Sequence, residues 1–177
     1  EINQLKKDIL SEDWELVKYS ANRLSEIGGD EIVDFLVSLL ELDNSKIRNR
    51  VALALRDIKD NRAMEPLLQS IFKKENHNYN GTMVYALEEL DCSTKLKEIF
   101  KILFYETWES KQHAYSILSE QIFTFKRSDI LEIIDLWNDI KLHPNKCPGY
   151  GDNETRAMIQ DAVDGYKGYL SPDSGKD

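Results

Sequence analysis

The sequence predicts an all-α protein, a right-handed α-solenoid of about four to five stacked helix pairs. An apolar pattern recurs along the chain: placing Leu55 on Leu24, an offset of 31 residues, also places Ile58 on Ile27. Within each unit, apolar residues recur at steps of three and four, as on one face of a helix. No segment shows the alternation that is typical of a strand. Because chance rarely preserves such a register across two helices and a turn, repeats are expected to organise the fold.

The first unit, residues 11–42, illustrates the predicted helix pair. Its first helix carries an apolar stripe and stops at Gly28-Gly29, because glycine readily adopts the left-handed conformation found at helix C-termini. Asp30 is predicted to cap the second helix, and Ser45 the first helix of the next unit. The stripe residues, all expected in the core, are Trp14, Val17, Ala21 and Leu24.

The later units continue this pattern with looser spacing. Pro66 removes a helical hydrogen bond, which predicts a late start or a kink in the second helix of unit two. Apolar stripes predict that Tyr79, Ile122 and Trp137 pack in units three and four. A single domain is expected over 1–170, followed by a flexible tail at 171–177. Its predicted parts are units 11–42, 43–75, 76–106 and 107–142 and a closing helix at 153–170.

The segment VALALRDIKDNRAMEPLLQSI, residues 51–71, carries an Ala-Leu pair, an isoleucine, a short polar turn and then Pro-Leu-Leu. It resembles the short HEAT-like repeats of bacterial proteins, including the bilin-lyase group, and residues 21–40 are similar to it. The resemblance extends over about residues 11–106. It implies a scaffold that binds proteins. Through the bilin-lyase group it also implies an alternative, an enzyme or enzyme partner that handles a small ligand.

The charge balance restricts the classes of partner. Lys and Arg number 23 against 32 Asp and Glu, giving a formal net charge of −9. Nucleic acids and anionic membranes attract basic surfaces, so neither is expected as a partner. The sequence shows no leader and no apolar run of bilayer length, and its two cysteines do not form a disulfide framework. A cytoplasmic protein with reduced thiols is expected.

The sequence contains few residues that suggest a catalytic or metal-binding site. No phosphate-binding loop, nucleophile elbow or zinc-finger spacing is present. His143, Cys147 and Asp152 form the nearest approach to a metal-binding set, but such residues on a Pro/Gly loop are more typical of a connector. The sequence therefore predicts no catalytic residue, no cofactor and no metal, and a protein that is not an enzyme.

Candidate partner-binding residues come mainly from the second helices, which line the inner surface in HEAT-like proteins. Their solvent-facing positions are the best candidates, and two tyrosines near a helix end or in a loop are added to them. The full set is Asp34, Ser38, Glu41, Glu65, Gln69, Lys101, Tyr105, Glu132, Asp135, Asp139 and Tyr150.

The helix SDILEIIDLWNDI has four acidic residues and no basic residue, which favours a cationic partner. The leading hypothesis is a non-enzymatic protein-binding module. Its more specific form is an inhibitor or immunity protein that covers a basic partner, for example a nuclease-type bacterial toxin domain, with electrostatic steering of the encounter. A pocket with convergent polar groups and His or Cys would favour the enzyme instead. The oligomeric state is left open.

Overall fold

The computed structural model describes residues 1–171, which are all-helical, with no β-strand in that range. Apart from Ser171, the tail predicted at 171–177 lies outside the described residues. The α-helices of residues 1–171 are α1 (Ile2–Asp8), α2 (Trp14–Ile27), α3 (Asp30–Leu39), α4 (Ser45–Ile58), α5 (Met64–Ile71), α6 (Gly81–Leu87), α7 (Leu96–Tyr105), α8 (Trp108–Glu120), α9 (Arg127–Leu142) and α10 (Asn153–Lys167). Short 3₁₀ turns lie at Asn61–Ala63, Lys74–Asn76, Pro144–Lys146 and Gly168–Leu170.

The chain forms two compact units, Glu1–Asp91 and Cys92–Asp177. In the first unit α1 packs on α2, and the first helices of successive pairs, α2, α4 and α6, pack side by side. The second helices α3 and α5 pack on α4 and α6. In the second unit α7 packs on α8 and α9, and α10 packs on the same two helices. The boundaries of a single domain over 1–170 stay a prediction.

The core of the first unit follows the repeat register. Leu24 of α2 and Leu55 of α4 are fully buried, as are Leu36 of α3 and Leu67 of α5 at the corresponding positions of the second helices. Each unit of the repeat thus supplies the same apolar layer, and neighbouring helices share it.

The turns show why the helices end where they do. Gly28 follows α2 with a φ of +65° and Gly29 has a φ of +91°, so the predicted glycine stop is confirmed. The predicted caps are each wrong by one position. Gly29 occupies the N-cap of α3, and the Asn44 side chain caps α4 by accepting a hydrogen bond from the Ile47 amide. Asn44 has the extended backbone that an N-cap needs, whereas Ser45 is already helical.

The late start predicted at Pro66 is confirmed. A 3₁₀ turn at Asn61–Ala63 comes first, and α5 begins only at Met64. Pro66 is therefore the third residue of the α-helix, where a backbone N–H would have no partner within the helix. The expected loss of a helical hydrogen bond at Pro66 is therefore wrong, because α5 has no internal hydrogen bond at this position to lose.

Three residues predicted to pack in the core lie outside it. Trp14 is 41% exposed at the first position of α2, Tyr79 is 60% exposed before α6 begins, and Ile122 is 91% exposed beyond the end of α8. Tyr79 and Ile122 lie beyond the helix ends, where helical periodicity no longer determines which way a side chain points, and Trp14 lies at the edge of its helix. Trp137, in contrast, is buried as predicted.

Candidate interaction surfaces

The second helices of the first unit carry the predicted partner-binding residues on their solvent side. Their charges, however, are largely paired between repeats. Arg62 Nη2 lies 2.9 Å from Asp30 Oδ1, and Arg62 Nη1 lies 3.9 Å from Asp34 Oδ1. Lys73 forms an ion pair with Glu41. The candidates of this face, all exposed, are Asp34, Ser38, Glu41, Glu65 and Gln69.

Arg62 is the centre of this charge network. Its Nη2 also donates to Asp60 Oδ2 at 2.7 Å, and its backbone N–H donates to Asp60 Oδ1 at 3.0 Å. These hydrogen bonds, the side-chain one foremost, lower the pKa of Asp60 to about 2. One guanidinium thus binds carboxylates from two successive repeats, so this face is held together by its own charges.

The acidic helix α9 of the second unit is also neutralised by neighbouring segments. Lys97 of α7 lies 2.9 Å from Glu132 and 3.4 Å from Asp129, and these two carboxylates raise the pKa of Lys97. Lys146, in the loop after α9, lies 2.6 Å from Asp139. The prediction that this helix lacks compensating lysines is therefore wrong, because the bases come from other elements. Asp135 is exposed and has no ion pair within residues 1–171.

The remaining candidates lie in the second unit and are half-buried. Burial, together with the nearby charge of Asp139, raises the pKa of Tyr105. The ring centroid of Tyr150 lies 5.9 Å from that of Trp137. Both tyrosines therefore belong to the packing at the C-terminal end of α9. Lys101 is half-buried on α7.

The second unit also contains a buried amine that the sequence analysis did not single out. Lys111 is about 1% exposed, and its Nζ donates to the carbonyl oxygens of Leu103 at 2.8 Å and Phe104 at 2.9 Å. Burial lowers the pKa of Lys111. Since these are carbonyls of the last turn of α7, which lack partners in the helix, Lys111 caps α7 from α8.

The loop at 143–152 shows no metal-binding geometry in the described residues. Among residues 1–171 no group of three His, Cys, Asp or Glu side chains is placed to hold a metal ion. His143 Nδ1 lies 3.0 Å from Asp139, Cys147 Sγ lies 3.6 Å from Lys111 Nζ, and Asp152 caps α10 by accepting from the Thr155 amide.

A different surface of the first unit has charges that are unpaired among the described residues. A recess of about 210 Å³ lies beside the half-exposed indole of Trp14, on the side of the first helices. We call it the Trp14 groove. It is lined by Trp14 of α2, by Lys46, Asn49, Arg50 and Leu53 of α4, and by Thr82 of α6.

The two cations of the Trp14 groove have no carboxylate partner within residues 1–171. Lys46 is exposed and forms no ion pair, and Arg50 donates through Nη2 to the neutral amide oxygen of Asn22. Arg50 Nε and Asn49 Oδ1 are buried without a hydrogen-bond partner. The groove therefore presents two positive charges beside an exposed indole, which is the composition of an interaction surface.

The sequence contained a signal for this groove. The beginning of α4 reads SKIRNRVALAL, with basic residues and no acidic one, and Lys46 and Arg50 are four positions apart on the same side of the helix. The sequence analysis instead predicts an acidic binding surface and a buried Trp14.

Comparison with known protein families finds a match to part of the chain. Residues 2–88 match the HEAT repeats family. The predicted HEAT-like resemblance is confirmed for this segment, and with the all-helical structure so is the α-solenoid fold class. The HEAT-repeat segment includes α1 to α6 and every residue of the Trp14 groove.

Two solved structures are similar to the chain at low identity. A crystal structure of computationally designed armadillo repeat proteins for modular peptide recognition is 16% identical over 76% of this chain and 70% of that chain, with a TM-score of 0.44. The crystal structure of an engineered protein is 16% identical over 92% of this chain and 78% of that chain, with a TM-score of 0.48. No curated protein matches the sequence.

Among the helices of residues 1–171, none combines the length and the apolar character that crossing a bilayer requires.

Proposed function

We propose that this protein is a non-enzymatic scaffold that binds a protein partner, and that its HEAT-repeat segment holds the partner in the Trp14 groove. The observation that carries the proposal is an indole 41% exposed beside two basic side chains that have no carboxylate partner within residues 1–171. Stacked helix pairs present broad surfaces of the kind that repeat proteins use for binding.

The composition of the groove supports a protein ligand. Trp and Arg are enriched among residues that dominate binding free energy at protein interfaces, because each buries a large area and adds directional polar contacts. Trp14 and Arg50 lie on adjacent helices, and Leu53 adds an apolar side chain to the lining of the same recess. A partner that covers the indole would remove the exposed part of its apolar surface from water, which stabilises the complex.

The lining of the groove and of the recess beside it disfavours a small-ligand enzyme. Its volume of about 210 Å³ fits one large side chain and is below the roughly 300–1,000 Å³ of small-molecule sites. A second recess of about 320 Å³ adjoins it and shares Trp14 and Lys46. Neither recess is lined by His or Cys, the groups expected in a bilin-lyase-like site.

An inhibitor of a basic partner, such as a nuclease-type toxin domain, would use the acidic surface of α9 instead. Glu132 and Asp139 are already paired with lysines, and each pairing reduces the charge available to a partner. Asp135 is the residue left to support that more specific hypothesis. The Trp14 groove is better supported because both of its cations are available.

The proposal is tested by selecting peptides from a random display library against the immobilised protein. The selected peptides are then titrated with wild type, Trp14→Ala and Trp108→Ala. Trp108 is the matched control, since it is also about half exposed but lies in the second unit. We expect Trp14→Ala to weaken binding by about tenfold or more and Trp108→Ala to leave it unchanged. Failure to select any binder, or equal binding by Trp14→Ala and wild type, would contradict the proposal.

A further inference from the structure

We infer that the partner segment held in the Trp14 groove is an acidic peptide with an apolar anchor residue. This inference rests on the proposed function and specifies the chemistry of the partner at the same site.

Charge complementarity is the first support. The groove lining contains Lys46 and Arg50 and no carboxylate, although the whole chain carries a net charge of −9. Other cations, including Arg62, Lys73 and Lys97, are engaged by carboxylates of the chain. The two groove cations remain available, so an anionic segment gains attraction here without displacing an internal ion pair.

The spacing of the two cations supports a peptide. Lys46 and Arg50 are one helical turn apart on α4, which separates their β-carbons by about 5–6 Å. Carboxylates two residues apart in an extended segment are separated by about 6.6 Å along the backbone. Two acidic side chains of one short segment can therefore meet both cations.

The apolar part of the groove supplies a place for the anchor. Trp14 and Leu53 face the same recess, and Thr82 of α6 lies at its edge. The volume of about 210 Å³ accommodates a Leu or Phe side chain. The adjoining recess contains the carboxylate of Glu12, so the acidic side chains are assigned to the α4 side and not to that recess.

The negative charge of the whole chain does not exclude an acidic partner. At physiological ionic strength the Debye length is about 8 Å, so exposed carboxylates farther away than this are largely screened. Within the groove itself, the lining supplies two cations and no carboxylate.

Four synthetic fluorescein-labelled peptides of equal length test the inference by fluorescence anisotropy. Three share a central Leu and Phe and differ only in their flanking residues, which are all Glu, all Gln or all Lys. The fourth keeps Glu and replaces Leu and Phe with Ser. We expect the Glu peptide with both apolar residues to bind tightest, the Lys peptide to bind weakest, and added salt to weaken the Glu peptide.

Charge-reversal variants test whether Lys46 and Arg50 cause the preference for the Glu peptide. Lys46→Glu with Arg50→Glu should weaken the Glu peptide by about tenfold or more and strengthen the Lys peptide. Lys7→Glu with Lys74→Glu is the matched control, because both lysines are exposed, outside the groove and without an ion pair in residues 1–171. It changes the net charge equally and should alter affinity by less than about twofold. Circular dichroism verifies that both double variants remain folded.

The outcomes separate the inference from the proposed function. Equal binding of the Glu and Lys peptides, or no effect of reversing Lys46 and Arg50, overturns the acidic partner. If the Gln peptide binds as tightly as the Glu peptide and its binding still requires Trp14, binding in the Trp14 groove is supported and the acidic character of the partner is contradicted. If no peptide binds at up to about 1 mM, the inference is overturned, and the display selection still decides the proposed function.

Discussion

The guanidinium of Arg62 lies 2.9 Å from the carboxylate of Asp30, which is 32 residues earlier in the chain. That separation is one residue more than the 31-residue offset of the apolar core, and it recurs in the pair of Glu41 and Lys73, also 32 residues apart. Ion pairs therefore recur at nearly the same interval as the core positions and join successive repeats. As a result, these charged side chains of the second helices and their turns are paired with one another between repeats.

Removing Arg62 tests this network. Arg62→Gln leaves Asp30 and Asp60 without their cation, so we expect a lower melting temperature at low salt. High salt should reduce the difference from wild type because it screens the exposed charges. The measurement is thermal unfolding by circular dichroism at two ionic strengths, with Lys46→Gln as the control, since Lys46 forms no ion pair in the described residues. A loss that is unaffected by salt would show that Arg62 acts through packing instead.

Asp60 predicts a specific acid dependence of stability. Its pKa is about 2 in the folded protein against an ordinary value of 3.8. A carboxyl whose folded pKa is depressed stabilises the fold above its unfolded pKa, and this contribution is lost as pH falls from about 3.8 towards 2. Asp60→Asn keeps a capping side chain but cannot ionise. Urea unfolding between about pH 5 and 2 should therefore show the two proteins converging as pH falls. Parallel curves would contradict the assignment.

The repeat register predicts a large effect at Leu55. It is fully buried in α4, so Leu55→Ala should lower the free energy of unfolding by about 2–5 kcal/mol through lost burial and the cavity left behind. Leu16→Ala is the matched control in the same unit, because Leu16 is exposed, and it should cost less than about 1 kcal/mol. Chemical denaturation measures both. Equal losses would show that the register is misassigned.

Charge reversal on α9 compares a carboxylate that forms an ion pair with one that forms none within residues 1–171. Glu132→Lys places two ammonium groups together, since Lys97 lies 2.9 Å from Glu132, and should lower the melting temperature in low salt. Asp135→Lys should leave the melting temperature unchanged, because Asp135 has no ion pair in residues 1–171. If a basic partner is found, slower association of Asp135→Lys in stopped-flow measurements would support the acidic α9 as its site. An unchanged association rate would contradict α9 as the binding site of that partner.

Much of the fold could be predicted because its causes are local or periodic. The spacing that aligns Leu55 with Leu24 is fixed by burial in every repeat, and Gly28 marks a helix end through its backbone freedom. The position of Trp14 could not be predicted in this way. A residue at the first position of a helix lies at the edge of the apolar stripe, and its exposure depends on how closely the neighbouring helix approaches.

The charge pairing was missed for a different reason. The sequence pattern shows only the charges within one helix. Lys97, which pairs with Glu132, lies on α7 and is 35 residues earlier in the chain. Only the packing of α7 on α9 brings the two together. The Trp14 groove could not be predicted for the same reason, because only the packed structure shows that no carboxylate of residues 1–171 pairs with Lys46 or Arg50.

NMR titration of isotope-labelled protein with a display-selected peptide tests binding in the Trp14 groove most directly. The largest chemical-shift changes are predicted at the indole N–H of Trp14 and at the backbone amides of Lys46 and Arg50. Ser38 and Gln69, exposed on the second helices, should change little. Changes concentrated at Ser38 and Gln69, or around Asp135 on α9, would contradict the Trp14 groove as the binding site.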